Sequence, residues 1–123
     1  MKREAKFQVI FNHFLKDSLK HIFVYKIPDG GFAQSPFDCF SVDKFHEFWA
    51  WELKQTKTDS LPFSAVVPHQ VMALQIVQGY VVIKYPTTVA IIPIDTFVLE
   101  SKRSKRRSLT SKRAMEISTI NFK

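Results

Sequence analysis

The stretch SPFDCFSVDKFHEFWAWELKQ, residues 35–55, decides how this chain is read. Residues 37–42 predict a short strand, Asp43-Lys44 a turn, and residues 45–55 a long returning strand. Successive side chains of a strand point to opposite faces. Trp49, Trp51 and Leu53 therefore share one face, and Ala50, Glu52 and Lys54 share the other. The bulky face belongs in a core. That leaves Glu52 and Lys54 together on the opposite side, with small Ala50 leaving room beside them. Asp38 follows Pro36 by two positions, on the neighbouring strand.

Two carboxylates and an ammonium on adjacent strands can hold a divalent cation against a phosphodiester. Hydrolysis there needs a nucleophilic hydroxide and neutralisation of the charge that builds on the phosphate. Mg²⁺ or Mn²⁺ supplies both. Mg²⁺ takes oxygen ligands and keeps several waters, so one or two carboxylates suffice. Asp38 and Glu52 are the candidate ligands, and the Leu53 backbone carbonyl is a candidate third oxygen. Lys54 is a compact charge that can orient the attacking water or stabilise the transition state. Without metal, two facing carboxylates repel, and one is expected to hold a proton near neutrality. The plain alternative is an ordinary solvent-facing Glu-Lys pair.

Working outward, residues 3–18 predict a helix, with Phe7, Ile10, Phe11, Phe14 and Leu15 on one stripe. Glu4 lies one turn before Phe7, where a carboxylate can complete a metal shell or stabilise a helix N-terminus. Residues 21–27 (HIFVYKI) predict a strand that Pro28-Asp29-Gly30-Gly31 stops. Asp29 reads first as turn chemistry, with contact to a nucleic-acid backbone as the alternative. Residues 56–67 read as a loop containing Leu61-Pro62-Phe63. Pro68 suits the first turn of a helix over residues 69–78 that Gly79 ends. Gln70 at its start can bond an attacking water or a phosphate, or simply cap the helix; His69 beside it can act as a base but is not needed near a metal and a lysine. Residues 80–85 and 89–94 predict a hairpin around Pro86-Thr87-Thr88. Asp95 can cap a short helix through residue 100, and residues 111–117 predict another. The order α-β-β-β-α-β-β-α implies an α/β fold, a mixed sheet with helices packed against it. No repeat or second domain is evident, so residues 1–123 read as one domain.

The net charge is +7. Lys102, Arg103, Lys105, Arg106, Arg107, Lys112 and Arg113 supply seven of the 18 basic residues, and the remaining 11 equal the 11 acids. The whole surplus lies in the segment 101–113, an electrostatic footprint for phosphate or a solvated loop. Leu109 is its one large apolar residue, so it offers no face to a membrane. A 46% hydrophobic content with 12 Phe argues against disorder. No apolar run approaches a membrane span. MKREAKFQ lacks the apolar core of a signal peptide, which predicts an intracellular protein. Cys39 is the single cysteine, which excludes an internal disulfide and a cysteine metal cluster. His13, His21 and His46 have no ligand-like spacing, and no Gly-rich phosphate loop or nucleophile elbow is present.

Taken in order, Asp38, Trp51-Glu52-Leu53-Lys54, Leu61-Pro62-Phe63, His69-Gln70 and Arg106-Arg107-Ser108-Leu109-Thr110 resemble the RecU-type Holliday-junction resolvases of the PD-(D/E)xK nuclease superfamily. The resemblance covers roughly residues 21–117. It implies a restriction-endonuclease-like core, with Asp38, Glu52 and Lys54 catalytic and Gln70 supporting. It implies a metal-dependent crossover junction endodeoxyribonuclease of recombination and repair, cytoplasmic and of bacterial, archaeal or phage origin. It also implies a homodimer that nicks four-way junctions in pairs, since two-fold symmetry gives two equivalent sites. The basic segment would hold a DNA arm by its phosphates.

The chain departs from that pattern in two ways. The motif reads Pro-x-Asp, and the junction-probing stalk between the first two strands is absent, with residues 29–36 in its place. The compact size is closer to archaeal and phage resolvases of the same superfamily, whose helix-one glutamate corresponds to Glu4. The alternatives are a flap or restriction-like nuclease of the same superfamily, and a non-catalytic DNA-binding module.

Overall fold

A computed structural model describes residues 3–28 and 35–123, with side chains from Lys6 onward. Helix α1 (Arg3–Asp17) leads into strands β1 (Phe23–Lys26), β2 (Cys39–Val42) and β3 (Phe48–Gln55). After them come β4 (Ser60–Pro62), a 3-10 turn (Phe63–Ala65), α2 (Pro68–Val77), and the hairpin β5 (Tyr80–Lys84) and β6 (Val89–Pro93). Helix α3 (Ile94–Arg103), β7 (Ser108–Thr110) and α4 (Ser111–Ile117) complete the described elements. The central sheet has five strands in the order β1-β2-β3-β5-β6. Its single parallel pair is β3 with β5, joined through α2, so the sheet is mixed.

Alternation along the strands splits the core into two layers. Phe7, Phe11, Phe14 and Leu15 of α1 bury against Trp51, Val82 and Ile91 on one face. Leu74 of α2 and Phe97 of α3 bury with Ala50, Val81, Ile83 and Ile92 on the other. The Trp face is thus a core, as its bulk predicts, with Phe11 edge-on to Trp51 at 5.2 Å. The Glu52 face is covered as well, because α2 lies over β3.

Several boundaries differ from the sequence reading, each for a local reason. The long strand begins at Phe48, not at residue 45, because Asp43 builds a wider turn. Its Oδ1 accepts from the amides of Phe45 (2.8 Å) and Glu47 (3.0 Å), and its Oδ2 from Trp49 Nε1 (2.9 Å). The loop 56–67 contains β4, which pairs with β7, with Leu61 opposite Leu109. Helix α3 runs on to Arg103, and its N-cap is Pro93 with no side-chain cap, so Asp95 lies in the first turn and does not cap. The left-handed residue closing α2 is Gln78 (φ 55°). Gly79 serves a close approach instead, since a Cβ there would lie 2.6 Å from Leu74 Cδ2 and 2.9 Å from the Ala50 carbonyl.

The β6 edge is closed by the C-terminal segment. Thr119 N donates to the Ile91 carbonyl at 2.9 Å, and Ser118 Oγ accepts from Ile91 N at 2.9 Å. Phe122 then packs on Phe14 of α1, ring centres 4.7 Å apart.

Candidate functional site

Strand β3 is longer than its neighbour β2. β2 pairs with residues 48–51, and β5 pairs with residues 51–55. Glu52 and Lys54 therefore sit on the overhang, where β3 has β5 on one side and the start of β2 on the other. Asp38 stands at that start. Its N–H donates to the Trp51 carbonyl (3.1 Å), and its carbonyl accepts from Ile27 N (2.8 Å). Its Oδ2 accepts from Leu53 N at 2.7 Å, replacing the backbone acceptor the ladder would otherwise offer. A residue facing an antiparallel neighbour presents N–H and C=O to the same side. The Leu53 carbonyl accordingly lies on the Asp38 side of β3.

Glu52 is only 1% exposed. Its Oε2 is 3.2 Å from Lys54 Nζ. Its Oε1 is buried and has no hydrogen-bond partner among the described residues. Burial, and second the charge of Asp38, push its carboxyl up to about 7 despite the opposing charge of Lys54. The direction agrees with the repulsion expected between the two carboxylates, but burial, ahead of Asp38, is its main cause. Cys39 lies on the opposite, Trp51 face of the sheet, and burial pushes its thiol up to about 12, which makes it inert.

Among the described residues no group of three or more His, Cys, Asp and Glu side chains gathers around one point. A hard cation that keeps its waters does not need one. The donor set fits such a cation: two carboxylates and a carbonyl edge, with an orphaned, buried carboxylate oxygen among them. An unmet buried acceptor is costly unless something completes it.

The other candidate residues are placed as follows. Gln70 is the third residue of α2, and its Oε1 accepts from Val67 N at 3.3 Å, so its side chain caps the helix. Glu4 lies in α1, but its side chain falls outside the described residues, as does the whole of Asp29. Lys102 and Arg103 end α3, Lys105, Arg106 and Arg107 occupy the turn after it, and Lys112 lies on α4, all exposed. The segment is thus not one loop. Arg113 is engaged within the chain: Nε and Nη2 donate to Glu100 at 2.9 and 3.1 Å, and Nη1 to Glu116 at 3.2 Å. Leu61-Pro62-Phe63 and Arg107-Ser108-Leu109 lie side by side, with Phe63 N donating to the Arg107 carbonyl (3.0 Å).

One cluster escaped the sequence reading. Phe23, Tyr25, Phe40 and Phe48 form a contiguous aromatic row on β1–β3. The signal was the alternation in FVYK, which was read only as strand propensity.

A five-stranded mixed sheet with helices on both faces is a restriction-endonuclease-like α/β architecture. Among solved structures the chain is similar to Archaeoglobus fulgidus Hjc, a Holliday junction resolvase from an archaeal hyperthermophile. The TM-score is 0.61 at 13% identity, over 90% of this chain and 92% of that one. No protein-family model and no curated protein matches the chain. No helix of the described residues is long and apolar enough to cross a membrane.

Proposed function

We propose that this chain, as a single nuclease domain spanning residues 1–123, is a metal-dependent endonuclease acting on branched DNA, most specifically a Holliday-junction resolvase. The observation that carries it is the overhang of β3. There Asp38, the buried and incompletely bonded Glu52, and Lys54 meet, on a fold similar to that of a resolvase.

Asp38, Glu52 and the Leu53 carbonyl would hold Mg²⁺ or Mn²⁺, with Glu4 as a further candidate ligand. When bound, the cation supplies Lewis-acid neutralisation of the phosphate and acidifies water. The chain's own residues do the rest. The Leu53 amide fixes the Asp38 carboxylate, so it is set before substrate arrives. Lys54 holds one oxygen of Glu52 and keeps a positive charge beside the two carboxylates. Burial raises the Glu52 carboxyl to about 7, so near neutrality it is only partly ionised, and positive charge in the site would favour the ionised form. Gln70 supports from the start of α2. Lys102, Arg103, Lys105, Arg106, Arg107 and Lys112 hold a DNA arm by phosphate contacts without reading sequence, and Arg113, already bonded to Glu100 and Glu116, adds less.

Paired nicking calls for a homodimer, and exposed Met72 and Ile76 on the outer side of α2 support one. A cytoplasmic location follows from the same reading. The test is Asp38→Asn with a labelled four-way junction and Mg²⁺, against flap and linear duplex at one salt concentration. Wild type is expected to make symmetric nicks near the branch, and the variant none. Cleavage by the variant at the wild-type rate removes the site assignment.

A further inference from the structure

The uncovered part of the sheet lies beside the candidate site. Residues directly opposite across antiparallel strands share a face. Phe23 stands opposite Val42 and Val42 opposite Phe48; Tyr25 stands opposite Phe40 and Phe40 opposite Ala50. Ala50 shares its face with Glu52, so the aromatic row and the carboxylate pair occupy one side of one sheet. Helix α2 covers that side over β3, and α1 packs on the opposite side. Over β1 and β2 no described helix covers the row, and Phe23, Tyr25 and Phe48 are at 47%, 45% and 46% exposure. The rings are ordered against one another. Phe23 and Tyr25 are within 5° of parallel at 6.4 Å, and Phe40 stacks on Phe48 at 5.1 Å.

Spacing indicates the occupant. From Glu52 back to Ala50 is one two-residue step, roughly 7 Å, and β1 lies two strands over, roughly 10 Å. Those are nucleotide-sized steps from the candidate scissile position. Exposed rings ordered against one another, within such steps of the candidate site, are what a single DNA strand meets on a stacking surface, where every base offers a π-face.

We propose that Phe23, Tyr25 and Phe48 form a platform on which unpaired bases of the substrate stack, next to the strand held at Asp38 and Glu52. The platform rests on the nuclease reading for its place beside the cut, and not for its ability to bind. It takes single-stranded DNA, or bases released at a branch point, and discriminates against closed duplex, whose bases present no free face.

The test uses the full chain in EDTA at fixed salt, with a fluorescent single-stranded oligothymidylate and a blunt duplex as probes. The double variant Phe23→Ala/Tyr25→Ala is expected to lose on the order of ten-fold in single-strand affinity and to bind duplex as the wild type does. The swap Phe23→Tyr/Tyr25→Phe is expected to restore it. If the alanine variant does not fold, Phe23→Leu/Tyr25→Leu keeps the burial and removes the π-face. Unchanged single-strand affinity, or an equal loss on both DNAs, overturns the proposal. So does a drop in sedimentation mass with single-strand affinity intact, which assigns the face to a second copy of the chain. Junction cleavage with Mg²⁺ is scored separately. A protein that passes the stacking test and never cuts keeps the platform and loses the nuclease reading. One that cuts while the double variant binds oligothymidylate normally does the reverse.

Discussion

Replacing Glu52 by glutamine should flatten the pH dependence of stability in a metal-free sample. In the folded chain its carboxyl is raised from 4.5 to about 7. Between those values the native state binds a proton that the unfolded state has released. Stability from this group is therefore fully present below about 4.5, falls as pH rises, and is lost above about 7. The shift corresponds to about 3 kcal/mol, with no large solvent discount for a residue 1% exposed. For a chain of this size that is on the order of 10 °C in melting temperature. His21 acts in the opposite sense, because burial lowers its pKa and makes stability rise with pH. The difference between wild type and Glu52→Gln isolates the carboxyl. Melts in EDTA from pH 5 to about 8.5 should show the wild type losing stability relative to the variant by an amount near that figure. Adding Mg²⁺ at the alkaline end should raise the wild-type melt and leave the variant's unchanged. Parallel curves for the two proteins would refute the reasoning, since the proton would then not reside on Glu52.

Ser41→Ala should cost about 1–3 kcal/mol in denaturant unfolding, because Trp51 Nε1 donates to the Ser41 hydroxyl at 2.8 Å in a fully buried site. Gly79→Ala should cost about 1–3 kcal/mol through overpacking against Leu74 and the Ala50 carbonyl. A variant as stable as wild type would mean that α2 slides on β3 without penalty. In salt titrations of DNA binding, neutralising exposed Lys105 or Arg106 should each lower the logarithmic slope by about 0.9. Arg113→Ala should change it less, since Glu100 and Glu116 already engage that guanidinium.

The residues that announce the fold in the sequence are those whose pattern is local. Alternation through Trp49–Lys54 gave strand β3 and its two faces, and the apolar stripe from Phe7 to Leu15 gave α1. Pairing between distant segments was not legible. Nothing in Leu61-Pro62 declares that it will lie against Leu109, because a three-residue strand carries no period of its own. The candidate site was legible in part. Asp38, Glu52 and Lys54 meet as their spacing suggested, whereas Gln70 spends its carbonyl oxygen on the Val67 amide. The depth of Glu52 was hidden, because it depends on where α2, a later segment of the chain, comes to rest. The aromatic row was missed because exposure is a property of what fails to cover a strand.

The clamp of Ser118 and Thr119 on Ile91, with Phe122 seated on Phe14, ties the last described residues to the first helix and to a sheet edge. On the ribosome these partners are made in the wrong order for prompt closure. Helix α1 precedes the strands it packs on, and β6 precedes the residues that close its rim. The Phe14 end of α1 and the β6 rim both stay open until residues 118–122 leave the exit tunnel. Until then the nascent chain shows an apolar surface beside an unpaired strand edge, the kind of surface chaperones retain.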